Sequence, residues 1–312
     1  MTQIDPASLP QSSRFLDVAP GVRVHLRHIP GAGPAVLMLH GAIANARTFY
    51  SERGKGLGPW LAAQGLDVYM LDMRGRGLSE PPIRAGDTHG QFETLCVDLP
   101  AAMAEITRLR GGIPVYLVGH SWGGVLLTAF LARHPAWASR VAASIYLGSK
   151  RAIRVWNWAR LIEIELVWHR LAKWVAWRRG YLPANRLRLG ADNETRRSLQ
   201  QSQQWVRAHT WIDDTDGFDY HRALNDQRLP PTLYLAGGND PVRGHEADVR
   251  RFAQESGEHD REIRLLARKA GLSRDYDHID MLTHPQAEQE VYPQVLDWIK
   301  QHGIAYPQPA DI

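Results

Sequence analysis

Hydrophobic and polar positions alternate along this chain with two periods, and their succession predicts its architecture. Residues 35–39, 67–71, 115–118, 141–147 and 231–236 are short, nearly unbroken apolar runs. Runs of that length, bounded by glycine, proline or polar clusters, are expected for strands covered on both faces. Residues 21–27 alternate apolar with polar, the period of a strand, whereas residues 1–20 read as a loose arm. Helical spacing runs over residues 57–64, 92–109, 125–133, 247–254 and 285–302, with Pro293 expected to divide or kink the last. The charged stretch 262–266 fits an edge strand. Strand and helix taking turns in this way implies an α/β fold, a mostly parallel sheet flanked by helices on both faces.

The alternation breaks at residue 148. From 150 to 188 the chain carries ten Lys or Arg against two acidic residues, Glu163 and Glu165, together with Trp156, Trp158, Trp168, Trp174 and Trp177. A second polar helical stretch, 193–209, leads to an acidic loop at 213–216. Residues 148–225 are therefore expected to form a helical, basic, tryptophan-rich lid inserted between two core segments, 1–147 and 226–312. Most of its tryptophans should pack the insertion onto the core. Some should line the cleft beneath it, and Trp156, Trp158 and Trp168, with Ala42 from the core, are the substrate-contact candidates.

Composition narrows the class. Hydrophobic residues at 44% and charged residues at 22% describe a globular chain. The net charge of +4 is mild, and no recognised nucleic-acid module accompanies the basic segment, so no nucleic-acid partner is expected. Weak contact with a membrane or lipid interface through the basic lid is the minority reading. The single cysteine, Cys96, excludes an intrachain disulfide and a cysteine-based metal cage. The polar start of the chain lacks the apolar core of a signal peptide, and no apolar run has transmembrane length, so a cytoplasmic location is expected.

Chemistry concentrates at residues 117–124, Leu-Val-Gly-His-Ser-Trp-Gly-Gly, an apolar strand turning through glycines into a helix. That context makes the G-x-S-x-G match a nucleophile elbow, with Ser121 projecting from the strand tip. A serine hydroxyl is a poor nucleophile at neutral pH and needs an imidazole to take its proton and a carboxylate to hold the imidazole. Asp240, in the turn 237–241 after a strong strand, supplies the carboxylate, although an acid beside Pro241 also suits a purely structural Asx turn. Among 14 histidines, His278 and His284 both follow the last strand. The glycines of 72–79 are not spaced as G-x-G-x-x-G, which rejects a dinucleotide fingerprint.

Taken together, His40-Gly41, the Asp72–Ser79 segment of D-x-R-G-x-G-x-S form, the elbow, Asp240 and His278 resemble the α/β-hydrolase superfamily over nearly the whole chain. The tail, His278 to Leu282 with Ala287, Val291, Pro293 and Trp298, is similar to lipases and esterases of the acid-lipase type. The resemblance implies Ser121 as nucleophile, His278 in preference to His284 as base, and Asp240 as orienting acid. It also implies an oxyanion hole from the backbone N–H of Trp122 and of Ile43, with Ala42 the alternative to Ile43. The implied activity is cleavage of carboxylic esters with a hydrophobic part, on a small-molecule substrate, without cofactor or metal. Amides, lactones and acyl transfer remain open to the same triad, as does a membrane-associated binding protein without activity.

Overall fold

The computed structural model describes residues 4–303. Ten strands occur among them: β1 Ser12–Ala19, β2 Val22–Ile29, β3 Ala35–Leu39, β4 Asp67–Asp72, β5 Val115–His120, β6 Val141–Leu147, β7 Tyr181–Leu182, β8 Glu194–Thr195, β9 Thr232–Gly237 and β10 Arg261–Leu266. Eight build one sheet in the order β1-β2-β4-β3-β5-β6-β9-β10, antiparallel over the β1-β2-β4 pairings and parallel elsewhere. The apolar runs have the predicted cause. In β3, Ala35, Leu37 and Leu39 join one buried layer while Val36 and Met38 join the other. Each strand residue alternates faces, so a strand covered twice must be apolar at every position.

The expected loose arm is corrected over its described part, because Ser12–Ala19 is a strand paired antiparallel to β2. Its outward residues, Phe15 among them at 41% exposed, give no clean apolar alternation. An edge strand held mainly by backbone pairing leaves little hydrophobic signature. The charged β10 is the opposite edge, as expected. At the tail, the helical stretch is divided into Ala287–Glu290 and Tyr292–Gln301, with Pro293 near the start of the second.

Between β6 and β9 the chain leaves the sheet. It forms a wide-turned helix, Arg160–Ala172, continuous with Lys173–Arg179, then the β7-β8 pair and the helix Arg196–Arg207. Ala172, Val175, Ala176, Leu182, Ala184 and Leu199 make this cap's own small core. Its later part joins the main core instead, since Trp205, Trp211 and Tyr220 pack with the helix Trp122–Arg133 against one face of the sheet. Among the described residues no helix is long and apolar enough to cross a membrane.

Candidate functional site

Strand register brings the chemistry together. Leu39 pairs with Gly119, His120 with Leu147, Leu147 with Leu235, and Gly237 with Leu266. The carboxyl ends of five parallel strands therefore stand level, and the loops leaving them share one rim, where open α/β sheets bind ligands.

At the centre of that rim Ser121 has φ +54° and ψ −121°, between β5 and the helix Trp122–Arg133. A non-glycine residue in that region costs on the order of 1–3 kcal/mol and persists only where its surroundings over-determine it. Here they do. A Cβ on Gly119 would lie 2.5 Å from the Gly124 Cα, and one on Gly123 would lie 2.1 Å from the Leu39 carbonyl oxygen. The helix start is thus pressed onto the neighbouring strand at a distance only glycine allows. Ser121 N–H also donates to the Leu147 carbonyl at 2.8 Å. His120 and Trp122 are buried while Ser121 is half-buried, so the serine is the one member of the bend open to an incoming molecule.

His278 and Asp240 meet on the same rim, against Gly148 at the end of β6. The His278 Nδ1 lies 2.7 Å from the Asp240 Oδ2, both side chains being buried. Burial by itself would raise the Asp240 carboxyl, but the His278 hydrogen bond and charge, the Gly244 N–H and Lys150 outweigh it and hold the pKa at about 2. Its other oxygen accepts the N–H groups of Val242 and Arg243. Asp240 is therefore an Asx-turn residue and a histidine partner at once; the two sequence readings are not exclusive. Since a carboxylate only accepts, His278 carries a proton on Nδ1, so in the neutral ring Nε2 is the bare nitrogen. The His278 loop is fixed by Asp277 Oδ1, which accepts from Ile279 and Asp280 N–H at 2.7 Å each. From below, His120 Nε2–H donates to the His278 carbonyl at 2.9 Å. His284 does not approach this pair: its Nδ1 accepts the Gln286 N–H at 3.1 Å as part of a helix start.

The loop after β3 is tied at both ends. His40 Nδ1–H donates to the Gly41 carbonyl at 2.9 Å and its Nε2 accepts the Met73 N–H at 3.1 Å, which fixes a neutral tautomer. Asp72 Oδ1 accepts the Ala46 N–H at 2.7 Å, while its other oxygen accepts from Leu78 N–H and His25 Nδ1–H. Gly41 lies against the serine: a Cβ there would be 3.0 Å from the Ser121 Cβ. Between these anchors, neither Ala42 nor Ile43 N–H donates to an acceptor among the described residues. Trp122, first in its helix, has no preceding turn to bond to either. Asp72, Asp277 and His120 escaped the sequence reading as supports, because nothing local distinguishes a bracing polar group from a surface one.

The tryptophan candidates fare unequally. Trp156 and Trp158 are 75% and 79% exposed, with the Arg160 guanidinium over the Trp156 ring, whereas a ring lining a closed cleft is covered. Trp168 is half-buried against the cap core. Cys96 is half-buried, and burial raises its thiol pKa, which disfavours the thiolate form.

The buried histidines make stability depend on pH. Burial, with the Arg76 charge, lowers His40 to about 4; burial, with His278 facing it, lowers His120 to about 3. Unfolded histidines bind protons near 6.5, so below that pH the unfolded chain holds more protons and stability falls as pH falls. The slope is at most about 1.4 kcal/mol per pH unit for each histidine, and the His40 loss is complete near pH 4. Circular-dichroism melts at pH 7, 6 and 5 are expected to give falling Tm, with a shallower slope in His120→Gln. A flat profile would contradict the burial of neutral imidazoles.

Comparison with known proteins gives the family. The serine aminopeptidase S33 model matches residues 32–270, more than half of the chain, and stops short of His278. Bifunctional epoxide hydrolase 2 of Sus scrofa is 32% identical over 142 residues, covering 46% of this chain and 23% of that protein. Epoxide hydrolase 3 of Siraitia grosvenorii is 32% identical over 115 residues, covering 37% and 33%. The chain thus matches a third or less of the length of these curated relatives. A soluble variant of monoglyceride lipase from Saccharomyces cerevisiae, solved with a substrate analogue, superposes with a TM-score of 0.66 at 16% identity, over 96% of this chain and 97% of that one. With Ser121 at its glycine-bound elbow and the parallel sheet behind it, the chain belongs to the serine aminopeptidase S33 family of α/β-hydrolases.

Proposed function

We propose that the protein is a serine hydrolase that cleaves carboxylic esters with a hydrophobic part through an acyl-enzyme. The observation that carries this reading is the 2.7 Å His278–Asp240 pair on the rim where Ser121 stands at a strained elbow. In it, His278 Nε2 takes the Ser121 proton as Oγ attacks the ester carbonyl, and returns it to the departing alcohol. Water then repeats the attack on the acyl-serine. The oxygen that becomes negative is held by Trp122 N–H and a second donor from the 42–43 turn, Ile43 by the family resemblance and Ala42 as the alternative. Preorganised N–H groups without other acceptors are suited to this task. Similarity to epoxide hydrolases does not carry their substrate over: serine opening an epoxide would leave an ether, with no carbonyl for water to attack.

On this reading the partners are a small-molecule ester and, through the cap, a lipid interface. Ile162, Leu166, Trp174 and Trp177 are more than half exposed there, beside Arg170, Lys173, Arg178 and Arg179, which form no ion pair among the described residues. Exposed tryptophan and leucine interleaved with free cations suit an anionic lipid surface. A cytoplasmic location fits the free thiol of Cys96.

The test is a panel of p-nitrophenyl esters of rising acyl length, run beside anilides and lactones. Esters are expected to exceed the matched anilides by at least about 100-fold in kcat/KM, a difference of about 2.7 kcal/mol in activation. Medium and long acyl chains presented on phosphatidylglycerol vesicles should be turned over faster than on neutral vesicles. Anilides matching the esters would move the assignment to amide cleavage, the activity named by the family model. Equal rates on both vesicle types would remove the lipid partner.

A further inference from the structure

The turn that carries the second oxyanion donor is held by the core only at its ends. Its middle rests on the cap. Ile43 has φ +49°, a β-branched residue in the left-handed region, where nothing in its own side chain favours staying. Its carbonyl accepts the Asp192 N–H at 3.1 Å. Two residues earlier, Gly190 lies so close that a Cβ on it would be 2.3 Å from the Ile43 oxygen and 2.7 Å from the Ile43 Cγ1. Asp192 Oδ2 then accepts from Asn45 Nδ2 at 2.7 Å and from Gly77 N–H at 2.8 Å, joining the 42–46 loop to the glycine-rich loop after β4. The Ile43 side chain packs against the cap's own core. Next along the chain, Glu194 forms a buried ion pair with Arg76, which seats this part of the cap on the same loop.

We propose that Gly190 and Asp192 are positioning residues for the oxyanion turn, so that seating of the cap and alignment of the donor are one event. The inference rests on the ester-hydrolase reading and adds to it a specific coupling between cap and chemistry. Neither residue touches the reacting atoms. They act through Ile43, whose left-handed conformation turns the adjacent amides, and that conformation relaxes when the cap backbone is displaced. An enzyme built this way has a complete oxyanion hole only with its cap in place.

Gly190→Ala tests the coupling most directly. Gly190 does not have a positive φ, so alanine suits its backbone and the strain falls on Ile43. Asp192→Ala removes the acceptor shared by Asn45 and Gly77, and Asp192→Asn keeps an acceptor oxygen. Full-length wild type and the three variants are compared by kcat and KM on a p-nitrophenyl ester, by Ki of a trifluoromethyl ketone, by phosphonylation rate with a fluorophosphonate, and by Tm. Gly190→Ala and Asp192→Ala are expected to lose roughly 10- to 100-fold in kcat, with KM within about threefold. The ketone, which forms a tetrahedral oxyanion on Ser121, should weaken by the same factor as kcat/KM. Asp192→Asn should stay within about threefold of wild type. A lowered Tm with unchanged kcat and Ki makes the contact merely structural and overturns the proposal. A wild type that fails on esters but reacts with the fluorophosphonate overturns the ester reading, and the phosphonylation rates then decide the clamp. A wild type inert to both overturns the two together.

Discussion

Ser121→Ala is expected to lower kcat on p-nitrophenyl esters by on the order of 10⁴- to 10⁶-fold while leaving the fold intact. Ser121 is the half-buried member of the elbow, flanked by buried His120 and Trp122, and the turn is fixed by backbone contacts that alanine retains. Glycines 119 and 123 and the Leu147 carbonyl hold residue 121 at φ +54° whatever its side chain. His278→Ala is expected to lose a similar factor, and the double variant hardly more, because nucleophile and base act as a unit. His284→Ala, whose ring is occupied with the Gln286 N–H, should remain near wild type. The measurement is kcat with active-site labelling by a fluorophosphonate. Labelling of Ser121→Ala equal to wild type, or more than a tenth of wild-type turnover, would remove Ser121 from the mechanism; near-normal turnover in His278→Ala would remove that histidine.

Asp240→Asn should cost about 10⁴-fold in kcat at pH 7, and its Tm should fall because the stabilising ionised carboxylate is lost. The carboxylate accepts the proton on His278 Nδ1, which leaves Nε2 free to act as base. An asparagine amide in the same place can donate its own N–H to Nδ1, driving the imidazole proton to Nε2, the wrong atom for taking one from serine. Asp240, held at about 2, is ionised throughout the neutral range, so any loss of activity between pH 7 and 5 belongs to other groups. Its folded value lies below the unfolded one near 3.9, so its stabilising contribution is present above about pH 4 and is lost as pH falls toward 2. An Asp240→Asn enzyme within tenfold of wild type would show that this acid serves only its Asx turn with Val242 and Arg243.

Much of this molecule is written locally. The apolar runs at 35–39, 67–71 and 141–147 are strands because two-sided burial demands apolar side chains at every position. The elbow is legible because a bend that tight needs glycine at 119 and 123, and the Ser–Asp–His order follows from strands arriving in sequence. The tail residues Ala287, Val291 and Trp298 carried the family resemblance, and they turn out to pack one face of the sheet.

Other features were decided only by the tertiary structure. Residues 12–19 became a strand because β2 offered an unpaired edge, not because of their own pattern. Trp156 and Trp158, candidates for lining the cleft, are largely exposed, since aromatic composition does not say which rings a helical cap covers. His278, rather than His284, meets Asp240, 38 residues away along the chain, and Ile43 is held by a cap residue that local sequence cannot bring near. Sequence pattern records backbone conformation and burial, which each segment expresses by itself. Hydrogen bonds that span Asn45 to Asp192 or His120 to His278 exist only once strand register has set the loops side by side.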